Sequence, residues 1–439
     1  MPARLFTGIW NTLPAGGRPR CAAVIGLQRL KSLMKSRNGS RSARPTDVLI
    51  SNAWGRSPYN VLRSLARHRL SVVVGTDKFM GMAALSRYSA ATFRHPLATT
   101  EPEAFTRRIK EAIQLYSPRV YLPMGEDTYV VAKYIDQLQS PAVTIPVAPY
   151  QTIRRLHKKD EVTELARSLG IPVPDTIVPR DADDVRNFCK AHGSPVLLKR
   201  ISSSSAQGVF HLTAADVTST WNDALRHNGT PLSEFVLQNH VRGTGYGVSM
   251  LFNHGCLRAT FTHKRLREIP TTGGISTLRI GVVHHVLEEY AKRLLEAVKF
   301  HGVAMVEFKH DEDTGHSWLI EVNPRFWGSL ALAIRSGVDF PYLLFRMATE
   351  GDIEPVSNYR TGVVMKWLLG DIAATIGELT HRRHLRAGQR PKPDAYDDVP
   401  TDDPFAFLAG AVLAIRKFLA TRTWQHDQAN LAIERLDHP

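Results

Sequence analysis

Two strand-like stretches, 303–309 and 318–323, each carry one glutamate among apolar neighbours, Glu307 and Glu321. The segment between them, Glu312-Asp313-Thr314-Gly315, contains turn formers, so the pair reads as a hairpin centred on Thr314. Both glutamates lie seven residues from that centre and therefore stand directly opposite each other. Side chains alternate along a strand, which puts Asn323 on the face of Glu321. Val306, Phe308, Ile320 and Val322 make the other face core. Carboxylates directly opposite repel, so the patch calls for a cation. Its hard oxygen ligands suit Mg²⁺, which completes its shell with water and substrate phosphates, and Mn²⁺ is an acceptable substitute. The competing reading is an ordinary solvated sheet face.

Cationic and loop features lie upstream. Lys199 ends the strand-like run 195–199 and opens into the Ser/Gly loop 202–208. A strand-end lysine beside a loop can reach phosphate as a point charge. Ser204, Ser205 and Gly208 add hydroxyl and backbone N–H donors of the kind found in phosphate cradles. A basic run, His263-Lys264-Arg265-Leu266-Arg267-Glu268, precedes the turn-forming Gly273-Gly274 and reads as a loop. Arginine forks there would bind carboxylate or phosphate. Each feature taken singly also fits a solvated loop.

Taken in order, these residues resemble the ATP-grasp superfamily, in its carboxylate–amine ligase and carbamoyl-phosphate-synthetase-like branch. The likeness is carried by Glu307 with Glu321-Val322-Asn323-Pro324-Arg325, and it extends over about 47–345. It implies that Glu307, Glu321 and Asn323 bind the magnesium ions bridging ATP phosphates. It also implies that Arg325 contacts phosphate or the acyl intermediate. Lys159, eleven residues before Gly170, resembles the first nucleotide-binding lysine of such proteins and Lys199 the second. The run 235–241 takes the place of the hinge that meets adenine through backbone groups, which implies roles for Gln238 and Val241. Many relatives carry glutamate where this chain has Asn239, a departure that bears on base and sugar specificity. Arg267 joins Arg325 as an expected anion clamp. The implied reaction is ATP- and Mg²⁺-dependent: a small-molecule carboxylate is activated as an acyl phosphate and an amine takes the acyl group. A catalytically silent nucleotide-binding relative is the alternative.

These groups need elements to position them. Apolar runs at 48–50, 71–77 and 119–123 alternate with helix-like stretches at 59–67 and 101–115, which implies a parallel sheet. A helix over 159–169 stops at Gly170, with Pro172 and Pro174 beyond. The expected class is α/β and α+β: an ATP-grasp fold behind a small Rossmann-like, pre-ATP-grasp parallel-sheet domain at 47–150. The ATP-grasp part would cover 151–350, with a lid at about 172–242 and a metal-binding subdomain at about 243–350. Residues 351–439 would form a helical region, and 405–419 a helix packed on the core or, alternatively, lying at a membrane interface.

Length and composition agree. The 439 residues fit about three domains. With 43% apolar and 22% charged residues, the chain has a globular balance. Its longest apolar run, eleven residues from Phe405 to Ile415, is too short to span a bilayer. Cys21, Cys189 and Cys256 form no CxxC pair, which suits a reducing cytosol. P-loop, GxGxxG, GxSxG and HExxH motifs are absent. The net charge is +15, but nine of the basic residues fall in acid-free 1–46, leaving +6 for the rest. That segment reads as a disordered leader; an organelle-targeting peptide or an arm on membrane or nucleic acid are the alternatives. No nucleic-acid partner is expected of the body of the chain, and oligomeric state leaves no mark in the sequence.

Overall fold

Three apolar runs in the first part of the chain become strands buried on both faces, as parallel strands under crossover helices must be. In the computed structural model these are β1 (Val48–Ile50), β2 (Val72–Thr76) and β4 (Val120–Leu122), joined by β3 (Ser89–Arg94), which the sequence pattern does not reveal. The order is β3-β2-β1-β4 and every pairing is parallel. Alternate residues go to opposite cores: Leu49, Val73 and Tyr121 enter one apolar cluster, and Ile50, Val74 and Leu122 the other. The structure describes residues 46–78, 81–193, 195–202, 209–213, 232–269, 274–380, 391–421 and 436.

The helix Lys159–Ser168 follows, and Gly170 leaves it with a φ of 64°, the left-handed stop that its glycine allows. Next comes a small antiparallel sheet of β5 (Thr176–Ile177), β6 (Val196–Arg200), β7 (Val209–Leu212) and β8 (Phe235–Asn239), in the order β5-β8-β6-β7. The helix Ala182–His192 covers it, capped by Asp181, whose carboxylate accepts from the N–H groups of Asp183 and Asp184. Val185 and Phe188 of that helix pack on Val196, Leu198, Phe235 and Leu237.

A seven-stranded sheet forms the centre: β9 (Thr244–Asn253), β10 (Cys256–Ile269), β11 (Ile275–Val282), β12 (Gly302–His310), β13 (Ser317–Asn323), β14 (Val364–Lys366) and β15 (Ala395–Tyr396). Its order is β13-β12-β9-β10-β11-β14-β15. Two expectations change here. The basic run at 263–268 is not a loop but the end of β10, paired with β11. The stretch after 351 is not merely helical, since β14 and β15 extend the central sheet beside β11. The acid-rich turn after β15 also binds the N-terminal sheet domain. Asp397 meets Arg56, Asp402 meets Arg63, and Asp403 accepts from Ser86 and Tyr59. The helix Pro404–Thr421 buries Ala406 and Ala409 but exposes Phe405, Leu408, Val412 and Ile415, so its apolar face is not the packed one. Among the described residues no helix is long and apolar enough to cross a membrane.

Candidate active site

The hairpin stands as its symmetry implies. Met305 pairs with Asn323, Val306 with Val322 and Glu307 with Glu321. The pairing slips only beyond Glu307, where Phe308 faces Leu319. That slip turns Ile320, expected in the core, into a half-buried residue of the cleft wall. Asn323 Nδ2 donates to Glu307 and to Glu321, at 3.2 Å each. Burial, and the neighbouring Glu321, push the Glu307 carboxyl up to about 7, against the pull of Arg265.

The hairpin's polar face opens on a cleft of about 480 Å³. The β6–β8 sheet supplies Lys199, Gln238 and Val241 to its wall, and the N-terminal domain supplies Asn52, Trp54 and Arg56. Lys159, Glu307, Glu321, Asn323 and Arg325 also line it, so eight of the twelve expected site residues come together here. Ser204, Ser205 and Gly208 lie outside the described residues.

Arg267 does not belong to the cleft. Arg265 pairs with Arg279 and Arg267 with Leu278, so one residue of β10 bulges out and the two arginines leave on opposite faces. Arg267 turns into the protein and binds Asp371, at 2.6 Å, and Thr375, at 3.1 Å, on the helix Leu368–Thr380. Arg265 takes the cleft position instead, paired with Glu307 and with Glu268 at 3.0 Å. It is the cation that the opposed carboxylates call for. His263, two residues earlier on β10, lines the same cleft, so strand alternation is the signal available for Arg265.

The lysines sit at the other end. Lys199 Nζ donates to Gln238 Oε1 at 2.5 Å, and Gln238 Nε2 donates to Thr176 at 3.0 Å, so the Gln238 side chain orients a lysine. Burial, and then the charge of Lys159, lower the Lys199 ammonium to about 8. Lys159 is buried and donates its N–H to the Ile201 carbonyl at 3.2 Å. Asn239, also in the wall, holds its side-chain oxygen buried with no hydrogen-bond partner among the described residues.

Glu126 escaped the sequence reading. It is buried on the turn after β4 and accepts from Arg325 Nη2 at 2.9 Å. A polar Gly-Glu-Asp just past a buried parallel strand is the available signal, because open α/β sheets bind at the carboxyl ends of their strands.

A metal ion is compatible with the hairpin. Two carboxylates and one amide supply three hard oxygen-bearing groups, and Mg²⁺ characteristically takes its remaining positions from water and phosphate. Among the described residues, no group of three or more His, Cys, Asp or Glu side chains is placed to hold a metal.

Residues 232–370 match a protein family described as ATP-grasp in the biosynthetic pathway with Ter operon. The large chain of carbamoyl phosphate synthase from Clostridium acetobutylicum is 20% identical over 222 residues, 48% of this chain but only 21% of that protein's length. Among solved structures, biotin carboxylase of Campylobacter jejuni in a complex with ATP superposes with a TM-score of 0.61 at 15% identity, over 74% of this chain and 75% of its own. N5-carboxyaminoimidazole synthetase of Staphylococcus aureus, complexed with ADP, gives 0.59 at 15% identity, over 81% and 92%. An L-amino acid ligase of Bacillus licheniformis gives 0.55 at 15%, over 72% and 79%. The chain belongs to the ATP-grasp superfamily. Its ATP-grasp fold, with the parallel-sheet domain in front, brings residues separated by more than 150 positions to one cleft.

Proposed function

We propose that the protein is an ATP- and Mg²⁺-dependent ligase. It would activate a carboxylate as an acyl phosphate and pass the acyl group to an amine. The observation that carries this reading is the direct opposition of Glu307 and Glu321, with Asn323 beside them, in the same cleft as Lys159 and Lys199. A divalent ion bound there supplies charge neutralisation for the nucleotide's phosphates. Glu307, Glu321 and Asn323 would hold that ion, and Lys159 and Lys199 would hold phosphate oxygens.

Phosphoryl transfer asks for position and charge more than for a protein nucleophile. A substrate carboxylate oxygen attacks the γ-phosphorus, and the bond to the β-phosphate oxygen breaks with release of ADP. The amine then attacks the acyl carbon, phosphate leaves, and the amine gives up a proton. Arg325 and Arg265 are the cations on the substrate side of the cleft, and Arg267 has no part in it. The unpartnered oxygen of Asn239 fits a hydrogen-bond donor on the base, so this hinge keeps an acceptor despite lacking glutamate.

The test is a hydroxylamine-trapping screen of carboxylates with ATP and Mg²⁺. A hydroxamate formed together with ADP, for at least one carboxylate class, supports the reading. Nucleotide binding without hydroxamate or ADP from any carboxylate would make the chain the silent relative instead.

A further inference from the structure

Arg325 is held from several sides. Its Nε and Nη2 both donate to one oxygen of Glu126, at 3.1 and 2.9 Å, and its Nη1 donates to the Phe326 carbonyl at 3.0 Å. On the same side, the Tyr129 hydroxyl and His157 Nδ1 are hydrogen-bonded at 2.9 Å. Burial, then Lys159 and Arg325, hold His157 neutral with its pKa lowered to about 3. Most of the five N–H donors of a guanidinium are therefore engaged.

Glu126 and Tyr129 belong to the N-terminal parallel-sheet domain, not to the sheet that carries Arg325. The turn bearing Glu126 is itself fixed. Asp127 accepts from the Gly125 N–H at 2.7 Å and from the Ser51 hydroxyl. Gly125 packs so closely that a Cβ there would come within 2.6 Å of Asn52 Nδ2. Arg325 and Glu126 are both buried, at 9% and 5% exposure, so neither is a loose surface partner.

We propose that Glu126 is a positioning residue for the reaction. Through it the N-terminal domain fixes the Arg325 guanidinium in the orientation that meets the γ-phosphoryl group. The inference rests on the ligase reading above. An arginine side chain left free would lose rotamer freedom each time it met its ligand, and a carboxylate that holds it beforehand removes that cost. The same carboxylate offsets the burial of the cation.

Two nucleotides separate positioning from general support: β,γ-imido-ATP carries a γ-phosphoryl group and ADP does not. Titration calorimetry on the full chain with Mg²⁺ would compare Glu126→Asp, Glu126→Gln, Arg325→Ala and the Glu126→Asp/Arg325→Ala pair. Asp keeps the charge but withdraws the oxygen by one methylene, whereas Gln keeps the oxygen and removes the charge. Glu126→Asp and Arg325→Ala should each weaken imido-ATP by about tenfold and ADP by less than about twofold. The double variant should be no weaker than Arg325→Ala alone, and Glu126→Gln should stay closer to the parent than Glu126→Asp. Parent-like binding of imido-ATP by Glu126→Asp, equal weakening of both nucleotides, or additive losses in the double variant would each overturn the positioning role. If the parent binds neither nucleotide, the ligase reading falls and the positioning role falls with it.

Discussion

The central sheet carries two long antiparallel pairs that both face the cleft, β12–β13 and β10–β11, and they behave differently. In β12–β13 the one slip lies between Glu307 and the turn, and from Glu307/Glu321 to Met305/Asn323 the ladder is regular, so the three polar groups share one face. In β10–β11 the register slips on both sides of Arg267, and counting fails. Two arginines spaced for one face end on opposite faces, Arg265 in the cleft and Arg267 against Asp371. Alternation is thus a reliable guide only as far as the ladder is regular. Beyond the irregularity, β10 and β11 are tied to the C-terminal part of the chain. Lys366 of β14 and Arg267 converge on Asp371, and Arg279 of β11 is tied to Asp397 with no exposed surface. All those partners come from the part of the chain after 351, where the sequence pattern is weak and implies a helical region without strands.

The largest effect should come from the regular pair. Glu321→Gln removes one of the opposed carboxylates, and Mg²⁺-dependent ADP formation should fall by about a thousandfold. The thermal midpoint should stay put or rise, because a like-charge repulsion is relieved. Unchanged turnover would take the hairpin out of the active site and end the comparison.

Asp397→Asn comes next. It strips the charge from between the buried Arg56 and Arg279, and denaturant unfolding should show a loss of about 4 kcal/mol. A variant as stable as the parent would mean that β11 is held without the C-terminal turn.

The two arginines can be set against each other directly. Arg267→Met leaves Lys366 as the remaining cation on Asp371 and should cost about 3 kcal/mol of stability, while imido-ATP affinity stays within about twofold. Arg265→Met should do the reverse, lowering turnover more than stability. Were the two patterns exchanged, the bulge would be misplaced by one residue.

The smallest effect is on pH. Glu307, pushed up to about 7, ionises as pH rises, so metal-dependent binding should grow through that range. Lys199, lowered to about 8, loses its proton as pH rises further, so nucleotide affinity should fall by about tenfold between pH 7 and 9. The result is a bell whose falling limb belongs to Lys199. Lys199→Arg, charged throughout, should flatten that limb in a binding titration and leave the rising limb alone. A falling limb that survives the substitution belongs to another group.

Several features were settled by the sequence alone, because they depend on neighbours a few residues away. Strand burial at Val48–Ile50 and Val72–Thr76, the helix stop at Gly170, and the opposition of Glu307 and Glu321 all follow from local pattern and turn chemistry. The superfamily was legible for the same reason, since its marks lie in short ordered motifs. Tertiary structure alone decided where the long-range charges go. Glu126 meets Arg325 across 199 positions, Arg56 meets Asp397 across 341, and Arg267 meets Asp371 across 104. Nothing in a strand's alternation encodes such partners. A buried guanidinium is directed by the carboxylate that offsets its desolvation, and that carboxylate becomes a neighbour only once the chain has folded.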